Sequence, residues 1–352
     1  MEQRAIDFLK RLLDSPGPSG YERNPSRVWR QEAETFADEV YGDVVGNAYA
    51  RLKREGGPKV VIEGHIDEIG LLITHIDEEG FLWFEPIGGW DEQVVVGQRI
   101  RIEGKHGDVL GVIGKKAAHL LRPEDREKPT QLRDMWIDIG AKNRDDAKQR
   151  VSVGDPAVLH AGFIQLTDDL CASRSMDNRV GAFVALEAAR LLAADRPEAD
   201  VYAIAAAQEE ISFAGAATAS FRVAPTVAIA IDVTHATDYP GADKKANGEV
   251  KLGGGPVLTR GSSINPLVFE GLRAAGERLG LDCPVQGAAR RSGTDADAMV
   301  RSGAGTATGL VSIPNRYMHS PNEVVSLTDL ESAARLIADF VRTVTDRSDY
   351  RL

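Results

Sequence analysis

Apolar residues recur at helical spacing through residues 5–13, AIDFLKRLL, and the SPGPSG behind them has the proline and glycine density of a turn. The chain is therefore expected to open on a helix, and a second helix is predicted over residues 24–40. After it, NAYARLK and PKVVIEGHID read as short strands, the latter apolar enough to be buried. Over residues 70–156 the pattern changes to alternating or β-branched runs split by glycine and charged turns. GLLITHIDEEGFLWFEPIGG and GQRIRIEGKHGDVLGVIGKK are examples, and they predict a small β-rich module. Within it, LLRPEDREKPTQLRD is polar, carries two prolines and reads as an exposed loop. After residue 158 helix and strand patterns alternate again. A helix is predicted over 177–194, then strands DVYAIAAAQEE and TVAIAIDVT, then helices over 265–279 and 328–343 with the strand TATGLVSIP between them. The fold class predicted is α/β: a discontinuous domain of residues 1–70 and 158–352, interrupted by a β-rich insert of residues 71–157.

A chain of 352 residues can bury a sizeable core, and its length fits one large domain plus a smaller one. A formal net charge of -11 disfavours unspecific attraction to nucleic acid or anionic membranes, so small or peptidic substrates fit better. Cys171 and Cys283 stand far apart with no CxxC pair, which removes both a disulfide framework and a thiolate zinc site and favours a reducing compartment. Residues 1–14 lack the unbroken apolar run of a signal peptide, and no later stretch approaches the roughly 20 apolar residues needed to span a bilayer. The expected location is cytoplasmic.

Candidate chemistry gathers at element ends. His65-Ile-Asp67-Glu68 closes the apolar run KVVIEG, and period-two geometry puts His65 and Asp67 on one face. An imidazole that binds a metal needs a carboxylate or carbonyl to fix its tautomer, a task Asp67 is placed to perform; a plain hydrogen-bonded pair is the blander reading. His75-Ile-Asp77 repeats the spacing ahead of a turn and reads as solvated surface. Glu209 and Glu210 close VYAIAAAQ at the carboxyl end of a strand, the usual ligand position of an open α/β sheet. Adjacent strand residues point in opposite directions, so the chain must bend there if both serve one site. Asp232 terminates TVAIAI in the same way. Asp177 opens a predicted helix, where the dipole favours a carboxylate in any case, and His319 lies on a loop beyond GLVSIP. Their bland readings are a cap and a surface histidine. One shared site explains His65, Asp177, Glu210, Asp232 and His319 together, and this set of N and O donors suits two divalent ions, zinc or cobalt.

These segments resemble the M42 family of metallo-aminopeptidases, also called the glutamyl or tetrahedral aminopeptidase family. The likeness runs in the family's order through PGPSGYE, GHIDEIG, EPIGGWD, SMDNRVGA, QEEISFAGA, IDVTHATDYPG, SGTDADAM and IPNRYMHSPNE, and so covers nearly the whole chain. It implies a mixed-sheet α/β/α metallopeptidase domain, with the insert a small β-barrel-like dimerisation domain of a homo-oligomer that is often a tetrahedral dodecamer. It also implies that His65, Asp177 and Asp232 bind one metal, and that Asp177, Glu210 and His319 bind the second. Asp67 would support His65. The reaction implied is removal of N-terminal residues from short peptides by a water shared between the metals, with Glu209 as general base. Ser212 and Ala214 depart from the glycine and arginine frequent in the family, which leaves the ligands intact but puts specificity in doubt. HExxH, GxSxG and a Walker loop are absent from the sequence. The competing readings are a dinuclear deacylase of N-acyl amino acids and a catalytically idle, peptide-binding oligomeric shell.

Overall fold

The structure, a computed structural model, describes residues 1–125 and 127–352. Its first strands are β1 (Glu39–Gly42), β2 (Ala48–Leu52) and β3 (Lys59–His65). The opening helix, Gln3–Asp14, is as the apolar spacing predicts. The second helix is shorter than predicted, Arg23–Ala33, and Val40 lies in β1 instead. The Thr35 hydroxyl donates back to the Glu32 carbonyl at 2.7 Å, and the Asp38 N–H goes to the Arg51 carbonyl at 3.0 Å, where the β1–β2 ladder begins. Tyr41 then stacks on Tyr49 across that ladder, with ring centroids 4.7 Å apart.

The β-rich block forms β4 (Gly70–Ile76), β5 (Leu82–Ile87), β6 (Arg99–Gly104), β7 (Gly107–Lys115), β8 (Met135–Asp138) and β9 (Pro156–Leu159). They close into a barrel in the order β4-β5-β8-β7-β6-β9, which leaves no open edge. Alternate side chains fill it with a separate core that includes Leu71, Ile73, Ile100, Ile102 and Ile137. Residues 120–125 and 127–134 form a mostly exposed loop, as predicted, with short 3-10 turns in it, and Arg126 of the predicted loop lies outside the described residues.

The chain continues through β10 (Ile164–Gln165), β11 (Leu170–Ser173), β12 (Asp200–Ala206), β13 (Val227–His235), β14 (Val257–Gly261), β15 (Val285–Ala288), β16 (Ala307–Asn315) and β17 (Glu323–Ser326). An eight-stranded mixed sheet runs β1-β2-β12-β3-β13-β16-β14-β15, with β12, β3, β13 and β16 mutually parallel at its centre. Helices cover the central strands, so these read as nearly continuous apolar runs rather than alternating ones. The helix Met176–Ala194 packs directly on β3 at glycine: a Cβ on Gly64 would stand 2.3 Å from the backbone of Gly181. That close approach brings the start of this helix to the carboxyl end of β3, where His65 is. A smaller sheet, β10-β11-β17, was not legible beforehand. No helix among the described residues is long and apolar enough to cross a membrane.

Candidate active site

Parallel strands deliver their carboxyl ends to one edge of the sheet, and the crevice beyond that edge is the natural place for a ligand. His65 is the last residue of β3, paired in register with Ala206 of β12. Strand β12 ends there, short of the predicted QEE. Gln208 adopts a left-handed φ of 61°, and Glu209–Ser212 form a single helical turn. This is the bend that two adjacent glutamates need to face one site. Ser212 closes that turn and Ala214 opens the next helix, Ala214–Val223, the Ser212 Oγ accepting from the Ala214 N–H at 3.3 Å. Asp232 lies within β13 rather than at its end, because β13 pairs with β16 as far as His235.

The side chains converge. The Nε2 atom of His65 stands 3.2 Å from Asp177 Oδ1 and 3.6 Å from Glu209 Oε2. On the other side of Asp177, Oδ2 is 3.2 Å from Nε2 of His319, which is itself 3.4 Å from Glu210 Oε1. Asp177 is therefore no cap: Ser175 holds the N-cap position, and the Asp177 carboxylate spans two imidazoles. Ligand atoms of His65, Asp177 and Glu210 lie within 4.8 Å of one another, as do those of His65, Glu209 and Asp232. His75, in contrast, is exposed on β4, away from the cluster.

Asp67 is buried beneath this array. Its carboxylate accepts the Glu209 N–H and the Glu210 N–H, each at 3.1 Å, and the Ser19 hydroxyl, while lying 3.4 Å from His65 Nδ1. Ser19 comes from the SPGPSG turn. That turn docks on Glu68, whose Oε1 accepts from the Gly17 N–H at 3.1 Å and from the buried Arg179 guanidinium at 2.8 Å. With Nδ1 turned toward the Asp67 carbonyl, 3.2 Å away, and its carboxylate, His65 leaves Nε2 toward the cavity.

The electrostatics are those of a cluster short of positive charge. Burial, reinforced by neighbouring acids, pushes Glu209 up to about 10, raises Glu210, and holds Asp232 well above the ordinary carboxylate range. Burial works against His319, yet its hydrogen bonds to Asp177 and Glu210 carry it to about 11; Asp177 is lowered in return, despite its own burial. Among the described residues no lysine or arginine pairs with Asp177, Glu209, Glu210 or Asp232, and the buried Glu210 Oε1 has beside it only the His319 imidazole, 3.4 Å away. Divalent cations answer this shortage, and the donors are the N and O types that zinc and cobalt accept.

Three acids escaped the sequence reading. Glu323 accepts the Asp177 N–H at 2.9 Å and the His319 N–H at 2.7 Å. Glu63 and Asp295 are both buried and none of their carboxylate oxygens has a hydrogen-bond partner. Burial raises both, Glu63 to about 8. An acid inside the apolar run KVVIEGH was the available signal for Glu63. The cavity over the cluster holds about 480 Å3 and continues past Thr259, Gln286, Arg291 and Ser312. Gly89, in the loop after barrel strand β5, approaches the His319 ring, so the barrel borders the site.

The sequence profile of the family described as M42 glutamyl aminopeptidase matches residues 46–336. A lysyl aminopeptidase of Pyrococcus furiosus is 34% identical over 333 residues, 94% of each chain. Among solved structures, a TET aminopeptidase from a marine sediment thaumarchaeote superposes with a TM-score of 0.92 at 32% identity, covering 97% of this chain and 96% of that one. The Pyrococcus horikoshii TET1 peptidase, which can assemble into a tetrahedron or a large octahedral shell, gives 0.86 at 31% identity, with coverages of 96% and 99%.

Proposed function

This chain belongs to the M42 glutamyl aminopeptidase family and is an aminopeptidase, and on that footing we propose that it removes N-terminal residues from short peptides by two-metal hydrolysis with Glu209 as the proton carrier. The carrying observation is the disposition of Asp177, one oxygen toward each imidazole at 3.2 Å, which suits a carboxylate shared between two ions. In this reading His65, Asp177 and Asp232 would hold one ion, and Asp177, Glu210 and His319 the other. Zinc or cobalt held by these residues would supply Lewis acidity toward water and a peptide carbonyl.

The chain's own groups do the rest. Glu209 lies in the cavity wall, left over once the two ligand sets are filled, and its carboxylate takes a proton from the attacking water and passes it to the departing amine nitrogen. Asp67 fixes the Glu209–Glu210 turn through two backbone N–H groups and the His65 ring through Nδ1, so one buried carboxylate orients a base and a ligand together. The cavity admits a peptide end, and the wall carrying Thr259, Gln286 and Arg291 receives the side chain of the first residue.

The same proposal treats residues 71–157 as the inserted unit through which copies of the chain pair in a homo-oligomer built from dimers. Leu110 and Val112 support it, 58% and 49% exposed on the outside of the barrel. The free Cys171 and Cys283 accord with a cytoplasmic setting.

The test is release of the first residue from a library of short free-amine peptides and their N-acyl forms, using protein stripped of metal and then resupplied with zinc or cobalt. Metal-dependent stepwise trimming of the free-amine set alone is the outcome expected. Cleavage confined to the N-acyl set, or none with either metal, would overturn the proposal.

A further inference from the structure

The two sides of the site are mounted differently. His65 and Asp232 belong to β3 and β13 of the eight-stranded sheet, and the Glu209–Glu210 turn follows β12 of the same sheet. Asp177, whose helix packs on β3, and His319, whose loop leaves β16, are tied to a second sheet as well. Asp177 follows β11, and His319 lies on the loop leading into β17; these strands pair antiparallel in the three-stranded sheet, with Ser173 opposite Glu323. Both segments are irregular where they meet the site. Tyr317 and His319 have φ of 62° and 59°, a left-handed region that residues other than glycine occupy only when their surroundings hold them there. Asp177 and Asn178 also depart from helical angles, with ψ of 108° and 40°. Neither conformation is imposed by a helix or sheet ladder, so something else must hold it.

Glu323 is placed to do so. It is the first residue of β17 and 2% exposed, and its two carboxylate oxygens are divided between the two segments: Oε2 accepts the Asp177 N–H at 2.9 Å and Oε1 the His319 N–H at 2.7 Å. Its own position is fixed from the far side, because Arg316 and Val324 exchange both backbone hydrogen bonds at 3.0 Å and close the base of the loop. The Arg316 guanidinium is in turn forked on Asp238 at 2.8 and 2.6 Å. Among the described residues Glu323 pairs with no lysine or arginine, and each of its oxygens already has a backbone donor. Those oxygens are engaged with the chain that carries the donors, and the carboxylate acts on the site through that backbone.

We propose that Glu323 is a positioning residue that assembles the His319 side of the metal site by clasping the backbones of Asp177 and His319, so that its loss weakens the His319 ion, two of whose ligands it holds, far more than the other ion, which shares only Asp177. The proposal rests on the two-metal reading above. Glutamine keeps the volume of Glu323 but offers one acceptor oxygen, and its amide sets N–H against N–H at the other contact. Aspartate keeps the charge but is one methylene too short to reach both partners. Either change releases one segment while His65 and Asp232 remain on their own sheet.

The experiment is equilibrium dialysis of full-length wild-type, Glu323→Gln and Glu323→Asp proteins against buffered zinc at graded free concentrations. Metal per chain is counted, cobalt-substituted absorption reports each site's coordination, and melting of the metal-free proteins reports the fold. Wild type is expected to take two ions. The variants should need no more than a few times the wild-type free zinc for the first ion, which shares Asp177, and about ten to a hundred times more for the second. Equal binding of both ions by variant and wild type would overturn the proposal. So would parallel weakening of both ions with a fall in metal-free melting temperature, or failure of both variants to fold, since Glu323 would then serve the fold at large. A wild type that binds fewer than two ions sinks the two-metal reading itself, a result separable from any behaviour of the variants.

Discussion

Asp67→Asn tests how the site is held together without touching any proposed ligand. The native carboxylate receives the Glu209 and Glu210 N–H groups at 3.1 Å, the Ser19 hydroxyl, and the approach of His65 Nδ1 at 3.4 Å. Asparagine can retain the acceptor that faces Glu209 and His65. Its amide then stands where Oδ2 was, setting N–H against the Glu210 N–H, while the Ser19 hydroxyl can rotate to accept. One buried backbone donor is left unpaired, a loss of about 1–3 kcal/mol. Loss of the charge that supports a ligand histidine typically lowers metal affinity or activity by about ten- to a hundred-fold, or about 1.4–2.7 kcal/mol. The first is read as a fall in melting temperature and the second as a loss of roughly one to two orders of magnitude in kcat/KM. The assay is kcat/KM on one free-amine peptide at saturating metal, with metal content and melting temperature measured on the same preparation. An Asp67→Asn protein with its metal sites filled and kcat/KM within about three-fold of wild type would refute the reasoning.

Glu209→Gln should retain both metal ions yet lose about a hundred- to ten-thousand-fold in kcat, the range of a general base; normal turnover by the metal-loaded variant sinks that role. In metal-free protein the folded chain holds protons that the unfolded chain releases, since Glu209 is raised by burial to about 10 and His319 by its carboxylate partners to about 11. Both shifts are upward, so their stabilisation is complete below the ordinary values of about 4.5 and 6.5 and is lost as pH rises through the folded ones. Melts in chelator should therefore fall steadily from about pH 5 to pH 10, and a metal-free melting temperature that rises over that window contradicts the assignment. Among the described residues Arg291 is the one lysine or arginine lining the cavity, and it is exposed. Arg291→Glu should shift the ratio of rates on Glu-headed and Lys-headed peptides toward lysine by about two- to five-fold, as for an exposed charge pair; an unchanged ratio places the first side chain elsewhere.

What the sequence disclosed about the fold followed the reach of its periodicities. The strands β3, β12, β13 and β16 were legible because burial on both faces leaves long apolar runs, and the barrel because its strands alternate and break at glycine. The failures lay where a local pattern continued past a tertiary event. Helical spacing runs on beyond Ala33, but the Asp38 N–H finds a better partner in β2. Apolar residues run on to Gln208, but a left-handed residue ends the strand's direction there and sets the two glutamates on a turn. The four residues of β17 are too few for any period to show, so the sheet that mounts Asp177 and His319 left no trace to read.

The site divides along a related line. Groups that face the cavity could be named from their positions at element ends, because the parallel strands carry them to one edge. Groups that act on those through the backbone could not, since the contact that defines each one joins segments far apart in the chain: Glu323 with Asp177 and His319, Ser19 with Asp67, Arg179 with Glu68. Asp67 was legible only in part, as the partner of His65 two residues away, whereas its hold on Glu209 and Glu210 crosses more than 140 residues. A buried carboxylate that accepts backbone N–H groups carries no marker of spacing or composition. Its signature is the pair of chain segments it brings together, and that exists only once the fold has formed.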